Sequence, residues 1–137
     1  MKKLIIISIL LLLYPSISKS QYSLTIEISS LRNNSGEVLL ELNDENGKMI
    51  KGFSEKIVDK KCVIMVENIK PGKYAFRYFH DENKDKKLST NILGIPKEGF
   101  GFSNNAKGKF GPPAFDKMVF EIKKDTTVKL TSNYLFN

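Results

Sequence analysis

The chain has 137 residues, with 22 Lys and Arg against 15 Asp and Glu, a formal charge of +7, one Cys and no Trp. A lone thiol excludes an internal disulfide framework. The basic residues do not form a nucleic-acid site, because Lys48, Lys51, Lys56, Lys70, Lys73, Lys97, Lys123 and Lys129 are scattered instead of gathered beside exposed aromatics to neutralise adjacent phosphates.

Lys2 and Lys3 precede an unbroken apolar run from Leu4 to Leu13, Tyr14-Pro15 breaks it, and Ser18-Lys19-Ser20 supplies a cleavage site before Gln21. Residues 1–20 therefore read as a secretory signal peptide, and 21–137 as one exported domain, periplasmic or secreted. About ten apolar residues cannot span a bilayer, which takes roughly twenty, so no transmembrane anchor is expected after cleavage. Losing Lys2, Lys3 and Lys19 also removes three of the seven net charges.

Beyond the signal, Leu24, Ile26 and Ile28 alternate with polar residues, the period of a strand with one buried face. Asn33-Asn34-Ser35-Gly36 reads as a turn, and Val38 to Leu42 as a second strand making a hairpin with the first. Asp44-Glu45-Asn46-Gly47 is another turn. A short edge strand is expected around Lys56 to Val58. Cys62 to Val66 is an apolar run in which Cys62 reads as a small buried residue. Pro71-Gly72 then turns the chain into Tyr74 to Phe79, whose Tyr74, Phe76 and Tyr78 share one face and mark a central strand. Met118 to Ile122 and Thr127 to Leu130 complete an all-β antiparallel sandwich, immunoglobulin-like or prealbumin-like.

Between the aromatic strand and Met118, glycines and prolines forbid long regular elements. Structureless connections beyond about 12–15 residues are usually functional or disordered. Phe100, Phe102, Phe110 and Phe115 give this stretch apolar groups to bury, so residues 81–116 are expected to be an ordered functional loop packed over one end of the sandwich.

The chemistry-bearing residues cluster at its start. Asp81, Asn83 and Asp85 stand at positions 1, 3 and 5 of a calcium-type loop, with the Lys87 carbonyl at 7 and Ser89 at 9. Alternate positions let a curled loop point hard oxygens inward. Lys86 stands where such loops carry Gly, Ile92 where they carry a bidentate Glu, and three lysines add repulsion, so the expected ion is a weak structural calcium. Glu98 or Asp116 could complete its shell. The competing reading is a polar turn whose Asp and Asn side chains cap their own backbone amides.

His80 is the only histidine. One His with one interior Cys is a poor zinc set, and no nucleophile elbow surrounds Ser103 to make a triad with His80 and Asp81. A histidine that orients the loop by hydrogen bonding is the expectation. The catalytic alternative is a hydrolase using His80 with Asp81 or Glu98 as acid–base partners. Gly99-Phe100-Gly101-Phe102 lacks the following helix of a phosphate loop; its glycines are expected to bend the backbone while the rings anchor it.

Four segments together resemble a known family: Pro71-Gly72-Lys73-Tyr74-Ala75, His80-Asp81-Glu82-Asn83, the run from Leu93 to Asn105, and Phe110-Gly111-Pro112-Pro113-Ala114-Phe115. They resemble the bacterial secreted domain-of-unknown-function family 2141, whose members typically read His-Asp-Glu-Asn-x-Asn-Gly-x-Leu-Asp. Here Asp85, Lys86 and Ser89 replace Asn, Gly and Asp. The resemblance implies an exported β-sandwich of Gram-negative bacteria and no established activity. The resulting expectation is a non-catalytic binding or envelope accessory module, its partner an envelope protein or glycan.

Overall fold

The computed structural model describes residues 20–136, so the expected signal peptide lies outside the described residues. Eight strands form two sheets: β1 Tyr22–Ser29, β2 Glu37–Asp44, β3 Met49–Glu55, β4 Cys62–Ile69, β5 Gly72–Asp81, β6 Phe100–Phe102, β7 Phe120–Ile122 and β8 Thr126–Thr131. The first sheet has the order β4-β1-β8; the second runs β3-β2-β5-β6, with β7 also on β5. All pairs are antiparallel except β1 with β8, which run parallel from Leu24 opposite Thr126 to Ser29 opposite Thr131. The two sheets pack as a sandwich.

The expected hairpin between the first two strands does not form. β1 pairs with β4 and β8, whereas β2 pairs with β3 and β5. Both strands alternate correctly, but their apolar faces meet across the sandwich and not side by side. Leu24, Ile26 and Ile28 of one sheet and Val38, Leu40 and Leu42 of the other are all buried in one cluster. Of the two sandwich types, the immunoglobulin order is the one not followed, because it places the first two strands in the same sheet.

The edge strand lies earlier than expected, at Met49–Glu55. Ile57 instead drops into the core, and Val58 makes only an isolated bridge to Lys61. Periodicity is weak here because β3 is exposed almost throughout, so nothing forces apolar residues to alternate.

β5 is central, with β2 along one side and β6 and β7 sharing the other. Its inner face carries Phe76 and Tyr78, both buried, with Tyr74 packed against them, and ends in His80. Phe76 meets Phe120 edge to face at 5.7 Å. Cys62 is buried on β4, and burial pushes its thiol up to about 12.

Candidate functional site

β5 runs straight into the excursion, and its last two residues are the polar core of that end. His80 and Asp81 are both fully buried. His80 lies 2.7 Å from the Ser35 carbonyl through Nε2 and 2.7 Å from the Tyr134 hydroxyl through Nδ1. A carbonyl can only accept, so Nε2 carries the proton. The Tyr134 oxygen accepts the Arg32 backbone N–H at 2.9 Å and donates its own proton to Nδ1. Burial raises the Tyr134 phenol above its ordinary value. His80 thus ties β5 to the β1–β2 connection and to the C-terminal segment, as expected for an orienting histidine.

Asp81 Oδ1 accepts the Asp85 N–H at 3.2 Å and Oδ2 the Lys86 N–H at 2.9 Å. Asn83 Oδ1 accepts the Asp85 N–H, and its amide donates to Asp85 Oδ2 at 3.0 Å; Asp85 Oδ1 accepts the Lys87 N–H at 2.8 Å. The side-chain oxygens of Asp81, Asn83 and Asp85 expected for calcium are therefore engaged within their own turn, mostly by its backbone amides. Lys84 and Lys86 adopt left-handed backbone, with φ of 59° and 62°. Lys86, at the position where a calcium-type loop carries Gly, thus holds a left-handed backbone with a side chain in it, which disfavours it by about 1–2 kcal/mol. Ser89 is half-buried, and its backbone N–H donates to Glu98 Oε2 at 2.9 Å. Among the described residues, no three His, Cys, Asp or Glu side chains gather as a metal centre.

Glu98, also buried, accepts the Glu82 N–H through its other oxygen at 2.9 Å. One carboxylate thereby staples both ends of residues 82–89. Among the described residues, no hydrogen bond joins His80 to Asp81 or Glu98; its two ring nitrogens meet Tyr134 and Ser35. Asp116 is exposed in the single helical turn Phe115–Met118, α1.

Phe110 and Phe115 do not hold the loop down. Phe110 is 103 % exposed, Phe115 is 36 % exposed, and Phe100 and Phe102 are half-buried with their rings 6.1 Å apart. The anchor is polar. Ser103 is fully buried; its Oγ accepts the Phe76 N–H at 3.0 Å and donates to the Met118 carbonyl at 2.6 Å. Asn104 donates to the Lys117 and Val119 carbonyls, while Asn105 bonds the Lys129 carbonyl and the Thr131 N–H.

The glycines have a different role from the one expected. A Cβ on Gly99 would lie 2.3 Å from the Tyr134 ring, and one on Gly101 2.4 Å from the Tyr78 hydroxyl. They clear space for two tyrosines. Sequence reasoning missed Tyr134 altogether, since it stands 54 residues from His80. Only the alternation of Gly99 and Gly101 in a strand-like run hinted at something bulky overhead.

The geometry defines an all-β sandwich with one end closed by an excursion bound through buried polar groups. Residues 26–129 match the family described as an uncharacterized protein conserved in bacteria (DUF2141), and the chain belongs to that family. No curated protein matches it.

Proposed function

We propose that this is an exported, non-catalytic β-sandwich module of the bacterial envelope, whose excursion end is a preformed binding surface. The observation that carries the reading is His80, buried with both ring nitrogens engaged. A general base must reach a substrate proton, and among the described residues this imidazole bonds only Tyr134 and Ser35. Ser103, the nucleophile of the triad considered, is buried and bonded to backbone. The family brings no activity that argues otherwise.

His80→Ala tests this. The reading expects a lowered Tm, with no ester or glycoside hydrolysis in either form. Turnover in the unaltered protein that His80→Ala abolishes would favour the hydrolase with Asp81 or Glu98.

A weak structural calcium at Asp81, Asn83, Asp85, the Lys87 carbonyl and Ser89 belongs to the same reading. Three oxygen-bearing side chains on one turn support it; the amides they already cap, and Lys84, Lys86 and Lys87, oppose it. An ion that prefers the folded state raises Tm by mass action, so identical melting in excess calcium and in chelator would remove it.

A further inference from the structure

β3 is the outer strand of its sheet, and its regular ladder with β2 runs from Lys51 opposite Leu42 to Glu55 opposite Val38. Which backbone groups this edge offers follows from alternation. The Asp44 N–H donates to the Lys48 carbonyl and the Asp44 carbonyl accepts the Gly47 N–H, so Asp44 turns its backbone toward β3. Every second residue of an antiparallel strand does the same, which points Leu42, Leu40 and Val38 at β3 and engages their opposites Lys51, Phe53 and Glu55. β5 agrees: Phe76 and His80, opposite Leu42 and Val38, send their N–H groups away from β2, to Ser103 and Gly99. The N–H and C=O groups of Gly52 and Ser54 therefore face outward, and they have no partner among the described residues.

Other edges are treated differently. On β4 the Lys61 backbone exchanges two bonds with Val58, on β8 Asn105 takes the Lys129 carbonyl and the Thr131 N–H, and on β6 Phe100 exchanges two bonds with Asn133. An uncovered row of backbone groups is a template for another strand. The side chains decide which strand. Lys51, Phe53 and Glu55 share one face of β3, with buried Leu42, Leu40 and Val38 as their neighbours on β2. Lys51 and Glu55 are exposed on either side of Phe53, without an ion pair among the described residues.

From this we infer that β3 is the interface of a homodimer, in which two copies pair antiparallel about a two-fold axis at Phe53. Gly52 then exchanges both bonds with the partner's Ser54, and Ser54 with the partner's Gly52. The same axis sets Lys51 against the partner's Glu55, Glu55 against the partner's Lys51, and Phe53 against the partner's Phe53. These are the non-hydrogen-bonded pairs, whose side chains approach most closely. Charge complementarity singles out this arrangement, because parallel stacking in register would set Lys51 on the partner's Lys51. A patch that complements itself about a two-fold axis closes after two copies. The proposal stands apart from the reading of the excursion, since β3 and β6 lie at opposite ends of the sheet order.

Sedimentation equilibrium on residues 21–137, which carry every described strand, tests it. A reversible dimer is expected. Lys51→Glu and Glu55→Lys each turn two attractive pairs into two repulsive ones and should weaken it about tenfold or more. The double variant Lys51→Glu with Glu55→Lys should restore it, and mixing the two single variants should give a heterodimer. Ser54→Pro removes an outward N–H that β2 does not use, which an edge strand tolerates, and should leave monomer; the charge variants decide the matter if it does not fold. Met65→Lys, on the exposed face of β4, should change nothing.

Monomer alone up to about 1 mM would overturn the inference. So would a dimer that Lys51→Glu leaves intact, single variants that stay monomeric when mixed, or a dimer lost in Met65→Lys. None of these outcomes bears on the His80 test.

Discussion

The two ends of β5 contrast in what holds them. Around Phe76 and Tyr78 the chain is fixed by apolar burial shared among many side chains, Leu24, Ile26, Val38, Leu40 and Ile64 among them. Past His80 it is fixed by a few directed bonds from buried Asp81, Glu98 and Ser103. Apolar burial is non-directional and degrades in steps as methylenes are removed. A buried polar staple fails differently: removing one partner leaves the other desolvated and unpaired. The excursion can therefore be rigid without a large apolar base, and its surface stays free for contact.

Ser103→Ala should break the contrast hardest. It strands the Phe76 N–H and the Met118 carbonyl, each costing about 1–3 kcal/mol when buried, so a loss of about 4 kcal/mol in denaturant unfolding is expected from one oxygen atom. A loss below 1 kcal/mol would mean water replaces that oxygen freely.

Gly99→Ala should come next. Its methyl must displace the Tyr134 ring, and overpacking of this kind costs about 1–3 kcal/mol. Tyr134→Phe in the same background recovers none of it if the clash is with the ring and not the hydroxyl.

Alkaline titration probes the apolar side. Burial holds the Cys62 thiol at about 12 against 9.0 for the free group. A raised folded value means the contribution is whole below pH 9 and is lost as pH climbs toward 12. Between pH 9 and 10 the loss should be about 1 kcal/mol; Tyr78 and Tyr134, also raised by burial, add theirs above pH 10. Cys62→Ala should flatten the first part of this limb, as seen by urea melts at each pH.

Lys86→Gly is the smallest change and has the opposite sign. Relief of the left-handed backbone, about 1–2 kcal/mol, is partly offset by the chain entropy of glycine, about 0.5–1. A gain of about 0.5–1 kcal/mol in chemical denaturation is expected.

The strands were legible wherever one face is buried, because alternation at Leu24 to Ile28 and Tyr74 to Tyr78 reports burial directly. Their partners were not: the same alternation serves a strand whichever sheet it joins, so β1 and β2 looked like a hairpin although they face each other across the core. β3 was blurred because it is exposed almost throughout. In the excursion, the apolar residues drew attention that belonged to its polar ones. Phe110 is bare, whereas Ser103, whose type is ordinarily exposed, is wholly buried. Contacts such as His80 with Tyr134 leave no local pattern, since a hydrogen bond needs no period.

Native-state amide hydrogen exchange tests the central claim most directly. If buried carboxylates fix the excursion, the Glu82, Lys86 and Ser89 amides, which donate to Glu98 and Asp81, should be protected far beyond those of the exposed residues Lys107 and Lys109. Exchange at Glu82, Lys86 and Ser89 as fast as at Lys109 would contradict the account.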